Sequence, residues 1–108
     1  MSYDIHLTID TGGPEPVSVC DVGDYTSNVS PMWMKALGFP LAELDGRTAC
    51  HVVGTVLQAV WRMYDNSAEY EALAPANGWG DVDGAREYLR RLAEACAKHP
   101  RATIRISR

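Results

Sequence analysis

Both ends of this chain alternate with a period of two while its middle does not, and that contrast constrains the fold most. Tyr3, Ile5, Leu7 and Ile9 alternate with Asp4, His6, Thr8 and Asp10, and near the other end Ala102, Ile104 and Ile106 alternate with Thr103, Arg105 and Ser107. Successive side chains of a strand point to opposite faces, so each stretch predicts a strand with one buried and one wet face. Thr11-Gly12-Gly13-Pro14-Glu15-Pro16 reads as a loop, because its glycines permit positive φ and its prolines lack a backbone donor. Val17 to Val22 follows as a shorter strand, so the first two strands pair as a hairpin and the last strand, Arg101 to Arg108, joins them.

The middle is helical. Gly23 to Ser30 is rich in side chains that hydrogen-bond their own backbone and predicts a turn. Ser30-Pro31 then opens a short helix to about Leu37, stopped by Gly38 and Pro40. Asp45 or Thr48 caps a long helix to about Tyr64 that is apolar at Ala49, Val52, Val53, Val56, Leu57, Val60, Trp61, Met63 and Tyr64. Arg47, His51, Thr55, Gln58 and Arg62 leave only a narrow polar stripe, which predicts a central helix. Gly54 costs that helix ~1 kcal/mol against alanine, so another element is expected to pack closely there. Met32-Trp33-Met34 and Trp61-Met63-Tyr64 read as core.

Ser67 can open a further short helix to about Leu73. After the break at Ala74-Pro75-Ala76, Asp81 or Asp83 caps the last helix, which runs to about Lys98. Val82, Ala85, Leu89, Leu92, Ala93 and Cys96 form its apolar stripe, and Glu87 and Arg91 are spaced for an i,i+4 ion pair. The result is a single α+β domain over residues 1–108: a small antiparallel sheet of about three strands, in β-β-α-α-α-β order with a short additional helix, covered on one face by helices.

Composition narrows the function. A 108-residue chain that is 46% hydrophobic can bury a core without disulfide or metal staples. Its formal charge of -4 argues against nucleic acid as a partner, since that affinity comes from neutralising phosphates. Arg86, Arg90, Arg91, Lys98, Arg101, Arg105 and Arg108 crowd the C-terminal quarter, a basic end that could meet an acidic partner but more simply complements the acidic N-terminal half. There is no signal-peptide pattern and no apolar run long enough to span a membrane, so a soluble, cytoplasmic protein without a membrane partner is expected. Cys20, Cys50 and Cys96 are too widely spaced to suggest a disulfide framework.

Catalytic and metal signatures are weak throughout. Cys96 and His99 could face one side of a helix end, but Cys96 falls on the apolar stripe, so buried structural cysteine is the better reading and no metal is expected. Placing Gly84 at the sixth position of a calcium loop puts Trp79 first and Arg90 twelfth, which breaks the oxygen-ligand pattern. Asp21 and Asp24 flank Gly23 without a nucleophile or an oxyanion donor nearby. No glycine-rich loop joins a strand to a helix, so no nucleotide cofactor is expected. These observations favour a protein that is not an enzyme and assign no catalytic residue.

Two polar stretches remain, Tyr25-Thr26-Ser27-Asn28 and Asn77-Gly78-Trp79-Gly80, each opening a helix where free amides and the dipole can hold an anion or a carbonyl. Tyr25, Thr26, Asn28, Asn77, Trp79 and Asp81 are the candidate binding residues. The competing reading is that Thr26 and Asn28 staple their own loop while Trp79 plugs a helix junction.

The start Ser2-Tyr3-Asp4-Ile5, the segment Tyr25-Thr26-Ser27-Asn28-Val29-Ser30-Pro31-Met32-Trp33, the turn Asn77-Gly78-Trp79-Gly80-Asp81 and the ending His99-Pro100 to Ile106-Ser107-Arg108 together resemble a family of small uncharacterised proteins of bacteria and phages, notably those of actinobacteria. The resemblance implies no activity. It points to Thr26, Asn28, Asn77, Gly78, Trp79 and Gly80 as positions of any shared role; Val82 stands where relatives commonly carry an aromatic. The expectation is a binding or interaction module, phage-encoded and acting on a host factor. The alternative is a small enzyme or a protein that sequesters a metabolite or nucleotide between the two loops. A homodimer through the open sheet face or its edges is compatible with either.

Overall fold

The computed structural model describes residues 2–108. Three strands form an antiparallel sheet of order β2-β1-β3, with β1 at Ser2–Ile9, β2 at Val17–Thr26 and β3 at Thr103–Ser107. The first and last strands thus meet, as the alternation predicts. Tyr3, Ile5, Leu7 and Ile104 are buried on the inner face, where helices cover them. On the other face Asp4 and Arg105 are exposed, His6 and Thr103 are half-buried and Thr8 is buried. The small α+β architecture with helices on one side of the sheet is the one the sequence order implies.

β2 is longer than the period of two suggests. Register shifts between Ile5 and His6 and between Leu7 and Thr8 leave Val22 and Val19 as extra residues on β2. Past the first bulge the ladder resumes, pairing Gly23 with Ile5, Asp24 with Asp4 and Tyr25 with Tyr3. The turn expected over Gly23 to Ser30 therefore shrinks to one 3-10 turn at Ser27–Val29. The compensation is apolar: Tyr25 gains a place on the inner face beside Trp33 and Tyr88.

β3 is an edge strand whose outer side is not left bare. Gly46 donates to the Ile104 carbonyl, Ile104 donates to the Arg47 carbonyl, and the Asp45 carboxylate accepts from the Ile106 amide at 2.8 Å. Asp45 is thus occupied by the sheet and does not cap the helix that follows.

Helix α1, Ser30–Leu37, carries Pro31 in its first turn, where a missing amide costs nothing, and Gly38 at φ 88° ends it by donating to the Met34 carbonyl. Ser30 is inside the helix and is not its cap; its hydroxyl donates instead to the Ser27 carbonyl at 2.6 Å. Helix α2, Ala49–Asp65, begins after Thr48 without a side-chain cap bond, and α3, Ser67–Glu71, is a single short segment. Helix α4, Val82–Lys98, is capped by Asp81.

α4 packs as its stripe predicts, with Ala95 and Tyr88 added. Tyr88 is also buried, its hydroxyl donating to the Gly23 carbonyl at 2.8 Å. Burial first, then the charges of Asp4 and Asp24, raises that phenol well above its ordinary pKa, so it stays a donor. Cys96 is buried too, which with the nearby Cys20 pushes its thiol up to about 11. On the outward face the expected Glu87–Arg91 pair is replaced. Arg90 bonds Glu87 and Glu94, Lys98 bonds Glu94, and Arg91 lies 5.9 Å over the Tyr88 ring.

α2 is not the central helix its composition implies. Ala49, Val52, Val56, Ala59 and Met63 are buried, but Leu57, Trp61 and Tyr64 are 44%, 63% and 64% exposed. α4 and α1 pack on one side of α2, and among the described residues no element packs over the opposite line of Gly54, Leu57 and Trp61. Gly54 lies on that bare side, and a Cβ added there would meet no atom within 4 Å. The close packing expected at Gly54 is therefore absent, and Trp61 and Tyr64 are not core.

Candidate functional site: the junction of the Tyr25 and Trp79 segments

The turn Asn77 to Asp81 is built from local hydrogen bonds. Asn77 Oδ1 accepts from the Trp79 amide at 2.9 Å, and Asp81 Oδ1 accepts from the Gly84 amide at 2.7 Å, satisfying one of the free donors at the start of α4. Thr26 does the same on its own segment, its Oγ1 accepting from the Asn28 amide at 3.3 Å. Asn77 and Thr26 thus spend a side-chain oxygen on their own backbone.

The two segments do converge, through Tyr25 and two glycines and not through the asparagines. Tyr25 Oη accepts from the Asp81 amide at 3.3 Å. A Cβ on Gly84 would overlap Tyr25 Oη and stand 2.6 Å from its Cζ, a separation that real side chains do not adopt. Gly80, at φ 101°, is pressed less closely but on two sides: a Cβ there would lie 2.7 Å from Thr26 Cγ2 and 2.7 Å from Val29 Cγ1. Two glycines are required here by close approach, and Gly80 by backbone conformation as well.

Behind this contact lies an aromatic cluster. Trp33 is edge-on to Tyr3 at 5.4 Å, Tyr25 stacks on Tyr88 at 5.9 Å, and Trp33 meets Tyr88 at 5.6 Å. Trp33 Nε1 donates to the Ala85 carbonyl at 3.1 Å, so the one polar atom of its buried indole is satisfied inside the first turn of α4. Tyr25, expected as a binding residue of a polar stretch, is thus first a structural tether, half-buried with one flank on the surface.

Trp79 is different: it is 67% exposed and makes no ring contact among the described residues. With Ser2, Asp24, Tyr25 and Thr26 it borders an open concavity of about 390 Å3. Asp24 stands directly across the ladder from Asp4, both exposed, and neither has an ion-pair partner among the described residues. Like charges in that position repel, so a cation brought to this rim relieves them.

No family model, curated protein or solved structure matches the chain. The site is read from its own geometry.

Of the expected binding residues, Tyr25, Thr26 and Trp79 line the concavity, and Asp81 meets Tyr25 through its backbone amide without lining it. Asn28 and Asn77 are exposed but do not line the concavity. Ser2 and Asp24 line it and sequence reasoning missed them, because their placement depends on the bulged register of β2. The helical Gly84 was the one available signal of close approach, since a glycine costs the helix stability there and Tyr25 is what occupies the space. Among the described residues no group of three His, Cys, Asp or Glu side chains gathers to hold a metal, and no helix is long and apolar enough to cross a membrane.

Proposed function

We propose that the protein is a binding module that receives a cationic side chain of a partner protein at the Trp79 concavity. The observation that carries the reading is the exposed indole of Trp79, held out by a turn whose neighbours are fixed against Tyr25, Thr26 and Val29. An exposed large aromatic on a rigid base is pre-organised, so binding costs little ordering. A cation over such an indole contributes about 0.5–1 kcal/mol, and Asp24 and Asp4 add the charge that selects it. The likeness of the Thr-x-Asn and Asn-Gly-Trp-Gly motifs to small bacterial and phage proteins supports extending this to a phage-encoded module acting on a host factor.

The test is a titration of isotope-labelled protein with a short arginine- and lysine-containing peptide, read at the Trp79 indole and the Asp24 and Thr26 amides. Shifts confined to these positions, weakened by salt and abolished by Trp79→Ala, are expected. No shift with the basic peptide, or one that survives Trp79→Ala, sinks the reading. The variant folds normally, because the side chain it removes is mostly exposed.

A further inference from the structure

We propose that two copies of this chain associate through the bare face of α2, with Trp61 of each copy seated against Gly54 of the other. At 100° per residue, Gly54, Trp61 and Asp65 fall along one line of the helix, directly opposite the buried line of Val52, Val56, Ala59 and Met63. Cys50, Leu57 and Gln58 flank that line and all are exposed. Within one chain this face makes no sense: its largest side chains are uncovered, and its glycine leaves an unfilled notch while weakening the helix.

A second copy resolves both features together. Gly54 and Trp61 are two turns apart, about 10 Å along the axis. When two α2 helices lie antiparallel about a twofold axis passing between Leu57 and Gln58, each Trp61 meets the Gly54 of the other. A knob and a hole at equal distances from one point are self-complementary, as a twofold interface requires. The knob is already oriented. Trp61 is edge-on to Tyr64 at 6.2 Å, and Tyr64 is held from behind by the Arg86 guanidinium 5.3 Å over its ring.

Charge and area agree with this occupant. The chain carries a net charge of -4, which makes two copies repel, yet α2 itself has only Arg62 and Asp65 as formal charges. Arg62 is turned inward onto the Ala36 carbonyl at 2.7 Å. In the antiparallel arrangement Asp65 lies opposite Cys50 and next to His51 of the second copy, whose imidazole N–H can donate to its carboxylate. At the exposed fractions of Trp61, Tyr64 and Leu57 these three side chains withdraw roughly 750 Å2 over two copies, and the exposed Cys50, Gly54, Gln58 and Asp65 beside them bring the total to the order of 1,000 Å2, the area at which specific interfaces begin.

Sedimentation equilibrium over a concentration series tests this on the full chain, its Trp61→Ala variant and its Gly54→Arg variant. The unaltered protein is expected to approach twice 11.9 kDa as concentration rises. Both variants are expected to stay at one chain's mass with a cooperative melt, since Gly54→Arg adds its side chain to open space and fills only the notch. An unaltered protein that stays at one chain's mass overturns the proposal. So does a dimer that survives both substitutions, which would use another face, and so does a monomer that lipid vesicles capture through Trp61. Because Trp79 is untouched by these variants, the peptide titration above reads the binding function separately.

Discussion

Gly84 and Gly54 are both glycines inside helices, and they are there for opposite reasons. Around Gly84 the structure is so close that a methyl group has nowhere to go: Tyr25 lies across the first turn of α4. Around Gly54 the structure is empty. The same residue type, carrying the same intrinsic cost to a helix, marks the tightest contact of the fold in one place and an unclaimed surface in the other. Helix propensity alone does not distinguish them; what crosses the helix does.

The comparison can be broken most decisively at Gly84. Gly84→Ala is expected to destabilise the fold by about 1–3 kcal/mol in a denaturant melt, because the added methyl forces the Tyr25 ring out of its stack with Tyr88. Shortening the obstructing ring with Tyr25→Leu should make Gly84→Ala nearly harmless in the double variant. Purely additive costs would show that the crowding is not between these two residues. A smaller loss, about 1 kcal/mol, is expected for Tyr88→Phe, which removes the donor to the Gly23 carbonyl at the β2 bulge while keeping the ring. An unchanged melting temperature there would mean that water replaces the hydroxyl without cost. The smallest effect has the opposite sign. Gly54→Ala, measured in dilute solution, should stabilise the monomer by about 0.5–1 kcal/mol, since alanine gains helix propensity and meets nothing. A loss of stability would contradict the open space seen at that position.

The fold was legible where the pattern was simple. Alternation fixed β1 and β3, the apolar stripe of α4 needed only Tyr88 and Ala95 added, and Gly38 stops α1 as its position suggests. Reading failed where a residue answered to two demands. Tyr25 belongs to a polar stretch by composition, yet the bulge at Val22 turns its ring inward, and bulges leave no mark in a period of two. α2 is apolar nearly all round, which periodicity equates with burial, but one side of it has no neighbour. The candidate site was half legible for the same reason. The motif residues Thr26 and Trp79 were visible as motifs, whereas Ser2 and Asp24 join them only through strand register.

The sheet order carries a consequence for how the chain is made. β1 is the central strand, and Leu7 pairs on one side with Cys20 and on the other with Ile104. The hairpin partner is synthesised almost at once, but the second partner follows about a hundred residues later, at 5–20 residues per second some five to twenty seconds on. Throughout that interval the nascent hairpin holds one open edge, and its apolar face stays bare until the helices emerge. The helices emerge first, and the last strand closes the sheet beneath them, so a stalled ribosome would leave a sticky ribbon rather than a smaller stable domain.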